Sequence, residues 1–160
     1  MTRTLAILGL LTLAFPAAAQ TNIDLGGINA DPNAPVEVTA DNLNVDQDTG
    51  SAVFSGNVVI GQGDLRLSAP EVRVTYAAAT GDITRLLATG GATFATATEA
   101  AEAQTADYNL ASGLLTLTGD VLLTQGQSAL SADSMILDLK AGTAQMSGRV
   151  RTVFQQDGNN

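Results

Sequence analysis

The chain has no cysteine, no histidine and no tryptophan. Without cysteine there is no disulfide staple and no thiol nucleophile, so core and sheet alone must hold the fold. Without histidine the commonest general base near neutral pH is missing. No serine stands in a nucleophile-elbow context, so no catalytic constellation can be assembled and an enzyme is not expected. Basic residues are scarce as well: seven Lys and Arg stand against sixteen Asp and Glu. Nucleic acids and anionic membrane surfaces demand a basic footprint, and this balance argues against both as partners. Aromatics make up only 4% of the residues.

The one long apolar run lies at the start. Arg3 precedes an almost unbroken apolar stretch from Leu5 to Phe15, followed by Ala17-Ala18-Ala19. A short positive region, an apolar region and an A-x-A site are the parts of a signal peptide. Residues 1–19 are therefore predicted to be a leader cleaved after Ala19, leaving Gln20 first. The alternative is an uncleaved anchor, but the run is shorter than the about 20 residues that span a bilayer. Setting Arg3 aside leaves six basic residues against sixteen acidic ones, a net charge of −10. The remainder suits one domain.

Residues 20–35 (QTNIDLGGINADPNAP) are rich in Asn, Asp, Gly and Pro and predict a flexible lead-in segment. Residues 155–160 (QQDGNN) predict a polar tail. Between them, from 36 to 154, strand character dominates. VEVT, LNVD, LRLS and VRVT alternate strictly between apolar and polar, the period of a strand with one buried face. EAAEAQTA (99–106) favours helix by propensity, yet it fits the repeat and is predicted to be strand.

The repeat carries the most information. Gly56, Gly90, Gly119 and Gly148 recur at spacings of 34, 29 and 29 within SGNVVI, TGGATF, TGDVLL and SGRVRT. A second motif interleaves: Thr39-Ala40-Asp41, Ser68-Ala69-Pro70, Thr105-Ala106-Asp107 and Ser131-Ala132-Asp133. Turn signals mark one end at Gly50, Gly81, Gly113 and Gly142, and the other at Gly61-Gln62-Gly63 and Gln125-Gly126. A period near thirty residues signals stacked repeats. Each repeat supplies two long strands, and each strand is interrupted midway by a small residue where it bends or bulges. Break points at 40, 56, 69, 90, 106, 119, 132 and 148 divide eight long strands into about sixteen short ones. The expectation is an all-β, repetitive antiparallel meander folded into a twisted, open-ended trough. Leu43, Val45, Val121, Leu123, Leu137 and Leu139 belong to the expected inner face, although the pattern leaves the parity across each break open.

The phrases VTADNLNVDQDTGSAVFSGNVVIGQGDLRLSAPEVRVTY and YNLASGLLTLTGDVLLTQGQSALSADSMILDL resemble the OstA-like domain of the LptA family, periplasmic lipopolysaccharide transport proteins. The resemblance spans roughly residues 36–154. G-(N/D)-V-x-(I/L)-x-Q-G occurs twice, each time followed by a short strand and S-A-(P/D). It implies an OstA-like β-jellyroll whose apolar interior takes the acyl chains of lipid A. It also implies head-to-tail assembly by edge-strand pairing, between an LptC-like inner-membrane protein and an LptD-like outer-membrane protein. The implied location is the periplasm, with no cofactor. An LptC-like adaptor of the same pathway is the nearest alternative, and a cleavable leader favours LptA.

The residues expected to line a lipid groove are Val36, Val38, Phe54, Val58, Ile60, Leu65, Leu67, Val72, Val74, Phe94, Tyr108, Leu110, Leu115 and Leu117. Val36, Phe94, Tyr108 and Leu110 carry over from the family's lipid-lining phrases. Alternating Val and Leu equally build an ordinary core, so a structural or adhesive β-solenoid with a filled interior stands beside the carrier reading. Asp46-Gln47-Asp48-Thr49-Gly50 imitates the start of a calcium loop, but Asn57 occupies the place of the bidentate acid, so turn chemistry is expected and no metal site. Glu99 and Glu102 are expected on a solvated face.

Overall fold

The computed structural model describes residues 21–24 by their backbone, residue 31 and residues 34–153. The predicted leader, the polar tail and Phe154 lie outside the described residues. Among the described residues, eleven strands form one sheet, with every pairing antiparallel. They are β1 (Thr21–Asp24), β2 (Val36–Thr39), β3 (Asn42–Asp46), β4 (Ser51–Gln62), β5 (Leu65–Tyr76), β6 (Ile83–Ala95), β7 (Glu99–Asn109), β8 (Leu114–Gln125), β9 (Ser128–Asp138), β10 (Thr143–Ser147) and β11 (Arg151–Val153). The order is β1-β10-β9-β8-β7-β6-β5-β4-β2, with β3 also on β4 and β11 also on β9. Thus β2 with β3, and β10 with β11, are two interrupted strands flanking six long ones. The eight expected bent strands are all present, although β7 breaks at Gln104 and not at Ala106, which pairs in register with Ala88 and Leu117. They count as fewer than sixteen because β4 to β9 continue through their breaks. β1 falls in the segment whose composition predicts a flexible lead-in; it instead forms a further row along β10.

The breaks are paired bulges. In β4, Ser55 faces Glu71 and Val58 faces Ala69, so Gly56 and Asn57 together oppose the single residue Pro70. Both have positive φ, +80° and +47°. Two left-handed residues in succession suit Gly and Asn, and they turn the strand sharply. A Cβ on Gly56 would lie 2.6 Å from Asp41 Oδ2, so the site also has no room for a side chain. The same two-against-one register recurs along the sheet at Gly90-Gly91 and Gly119-Asp120, and at the last break residues 148–150 oppose residues 132 and 133.

These bulges settle the parity. Across the two-residue bulge of β4, the buried positions keep their phase from Ala52 to Val58 and Ile60. Across the single-residue break of β5 the phase shifts, from Leu65, Leu67 and Ala69 to Val72 and Val74. Both strands therefore present their apolar residues to the same side above and below the bend. The outcome is two arms sharing one inner face. The first arm holds β3, β10, β1 and the adjoining halves of β4 to β9. The second arm holds β2, β11 and the remaining halves.

At the rim of the first arm, side chains close the turns. Asp46 Oδ1 accepts from the Asp48 and Thr49 amides at 2.9 and 3.2 Å, and Asp138 Oδ1 accepts from the Lys140 and Ala141 amides at 3.0 and 2.9 Å. The Thr49 amide bond holds the Asp46 carboxyl below its usual range. The sequence that imitates a calcium loop is thus an Asx turn.

Candidate functional site

The inner face is apolar along its whole length. Val58, Ile60, Leu65, Leu67, Val72, Val74, Phe94, Tyr108, Leu115 and Leu117 are buried in one cluster with Val121, Leu123, Leu137 and Leu139. Val36, Val38, Phe54 and Leu110 pack against it while half-buried. All fourteen candidate lining residues therefore lie on one surface, with ten in its depth and four at its margin. Leu86, Leu130, Met135 and Met146 are buried with them and were not among the expected lining residues. Their positions follow from the same alternation once the bulge parity is known.

Two inward-facing leucine and valine positions behave differently. Leu43 lies opposite Phe54 and Val45 opposite Ala52, so both share the inner face of the first arm. Yet Leu43 is 56% exposed and Val45 59% exposed. No further strand covers β3 among the described residues, and the inner face opens to solvent there. At the opposite end β10 is covered by β1, and Ala144 and Met146 are buried.

Polar side chains are placed sparingly on this face. Tyr108, in the first arm, donates a hydrogen bond to Gln62 Oε1, in the second, at 3.1 Å. Both residues are buried. Burial pushes the Tyr108 phenol above its ordinary pKa, because the phenolate is poorly solvated there. Gln62 Nε2 in turn donates to the Ala34 carbonyl at 3.3 Å. Gln62 continues the alternation of Val58 and Ile60, a signal masked in the sequence by its glycine neighbours. Glu99 departs from expectation: it is buried, whereas Glu102 is exposed. Thr96 Oγ1 and Gln125 Nε2 donate to its two carboxylate oxygens at 3.1 and 2.9 Å, which satisfies the charge at the rim of the second arm.

Outside the bend runs a row of complementary pairs. Asn57 donates to Asp41 at 2.8 Å, Gln104 to Asp120 at 2.8 Å, and Arg149 Nε to Asp133 at 2.8 Å. The Arg149 guanidinium holds the Asp133 carboxyl below the usual range. Where the pair is Pro70 and Gly91, no polar contact forms and a notch of about 510 Å³ remains. Among the described residues no His, Cys, Asp or Glu cluster is arranged to hold a metal.

An open antiparallel sheet, bent into two arms around a continuous apolar face, defines a β-trough protein. The family described as LptA/(LptD N-terminal domain) LPS transport protein matches residues 37–143, and the chain belongs to that family. An uncharacterized protein of Rhizobium meliloti (strain 1021) is 26% identical over 156 residues, covering 90% of this chain and 84% of the relative. The fold is similar to the crystal structure of LptH from Pseudomonas aeruginosa, described as the LptA homologous periplasmic component of the conserved lipopolysaccharide transport device. The TM-score is 0.72 at 18% identity, covering 79% of this chain and 99% of that one.

Proposed function

We propose that this chain carries lipopolysaccharide across the periplasm, holding the acyl chains of lipid A against its inner face. The observation that carries this is the uncovered apolar surface at β3, where Leu43 and Val45 extend the buried face into solvent. Burying a methylene is worth about 0.8 kcal/mol, so an acyl chain of about a dozen carbons loses on the order of 10 kcal/mol of burial in water. A multi-chain lipid needs a continuous apolar path, and an inner face extended by successive copies supplies one. The interior is filled by the chain's own side chains, so acyl chains start at the β2/β3 end and part the arms as they advance. In this reading Leu43, Val45, Phe54, Val36 and Val38 make the first contacts, and Phe94 and Tyr108 make later ones.

The same reading has copies docking head to tail through their sheet edges, with an LptC-like protein at the inner membrane and an LptD-like protein at the outer. The leader would be removed after Ala19, and N-terminal mass spectrometry checks that step. A retained leader would favour the LptC-like adaptor. The filled interior favours one other reading, a structural β-solenoid that binds no lipid. Photo-crosslinkers at Leu43, Val45 and Phe54, with purified lipopolysaccharide, separate the two. Capture at all three supports the carrier, and capture at none supports the solenoid. Depletion in the native cell, followed by tracing new lipopolysaccharide, tests transport itself.

A further inference from the structure

β1 repeats at one end of the sheet what β3 does at the other. β3 lies on β4 with Asp46 opposite Ser51, Val45 opposite Ala52 and Asn44 opposite Val53. β1 lies on β10 with Asp24 opposite Thr143, Ile23 opposite Ala144 and Asn22 opposite Gln145. The sequences match as the registers do. Asn44-Val45-Asp46 corresponds to Asn22-Ile23-Asp24, and the receiving strand GSAVFSG (50–56) corresponds to GTAQMSG (142–148). β10 is thus built like β4, and it receives β1 at the same offset at which β4 receives β3.

Strand direction agrees. The eight long strands alternate, so the first and the last run in opposite senses. A following copy in the same orientation therefore brings its β3 antiparallel to β10, as β1 is. It also brings β3 to the same arm, and its β2 alongside β11 in the other.

We propose that β1 is an internal stand-in for β3 of a second copy. In the lone chain it caps the edge of β10, and β3 of a neighbouring copy displaces it when two chains dock head to tail. This rests on the head-to-tail reading above and adds its regulation. The incoming copy brings more than β1 does. β3 has five residues against four, β2 adds four along β11, and Leu43 and Val45 lose their exposure. Charge favours the same partner. Glu37, Asp41, Asp46, Asp48 and Asp64 are exposed around β2 and β3, with no Lys or Arg between residues 31 and 65. Lys140, Arg149 and Arg151 are exposed at the other end. An unpaired edge is normally an aggregation hazard, and a built-in cap restrains it until the correct edge arrives.

The chain's lack of cysteine makes the test clean. Val45→Cys and Ala144→Cys are placed on separate chains, checked for folding by circular dichroism, mixed and mildly oxidised. The mixture is expected to give a disulfide-linked dimer that neither chain gives alone. Repeating it with Asn22→Pro/Ile23→Pro in the Ala144→Cys chain removes the competing strand, and a several-fold higher yield is expected. Equal yields with and without β1 overturn the proposal and leave head-to-tail docking standing. No dimer in either background overturns docking in this register and the proposal with it. As a second measurement, Ile23→Cys/Ala144→Cys locks β1 in place within one chain. Association is then expected to fall in sedimentation, and unchanged association overturns the proposal.

Discussion

Tyr108 and Gln62, 46 positions apart in the chain, meet through a 3.1 Å hydrogen bond across the apolar interior. One belongs to each arm, so the bond ties the two halves of the bent sheet together at depth. Removing it by Tyr108→Phe is expected to cost about 1 kcal/mol, the typical net worth of one such bond. Gln62 Nε2 keeps its contact to the Ala34 carbonyl, while Gln62 Oε1 loses its donor. Urea denaturation of the two proteins measures the difference, and an unchanged midpoint would show that the bond adds nothing.

The same phenol sets a pH dependence. Burial raises the Tyr108 pKa in the folded chain, so the unfolded chain ionises first, near pH 10. Below that value both states are protonated and the full contribution is present. As pH rises past it, stability is lost until the folded phenol ionises too. Thermal melts from pH 8 to 11 should show this decline in the native chain and a shallower one in Tyr108→Phe. Parallel curves would refute the assignment.

The bend depends on glycine at the first bulge position. In Gly56→Ala the new Cβ meets the Asp41 carboxylate while the backbone must hold φ near +80°. Left-handed strain and the steric shift together are expected to cost about 2 kcal/mol. Gly81→Ala is the comparison, since a Cβ there meets nothing within 4 Å although φ is +75°. A larger loss at Gly56 than at Gly81, read by denaturant midpoints, would show that the Asp41 contact adds to the backbone strain.

Depth on the inner face separates stability from binding. Phe94 is buried, and Phe94→Ala is expected to destabilise by about 3–5 kcal/mol. A charge there would unfold the chain, so Phe94 is a poor place to test ligand contact. Leu43, exposed on the same face, should tolerate Leu43→Asp with a stability change within about 0.5 kcal/mol. Lipopolysaccharide binding by Leu43→Asp should weaken clearly relative to the native chain. Undiminished binding would remove the β3 end from the lipid path.

Glu99 shows where sequence pattern runs out. Its spacing from Glu102 suggests a solvated pair, because Thr96 is its one partner nearby in sequence and reaches only one carboxylate oxygen. Its burial depends on Gln125, 26 residues away and brought alongside by the pairing of β7 with β8. Thr21–Asp24 shows the same limit in another form. Four residues inside an Asn- and Gly-rich stretch carry no strand signal of their own, and only the edge of β10 makes them one.

By itself the sequence determined the eight long strands and where most of them break, because turn glycines, alternation and small residues act locally. It marked seven of the eight bends, the eighth lying at Gln104 and not at Ala106, and most of the apolar residues of both arms. The tertiary structure alone decided how those residues face one another. Parity changes across one-residue breaks and persists across two-residue bulges, and which occurs depends on register with the neighbouring strand. Register is a property of paired strands, and so the shared inner face, its open end at β3 and the cap at β1 exist only in the assembled sheet.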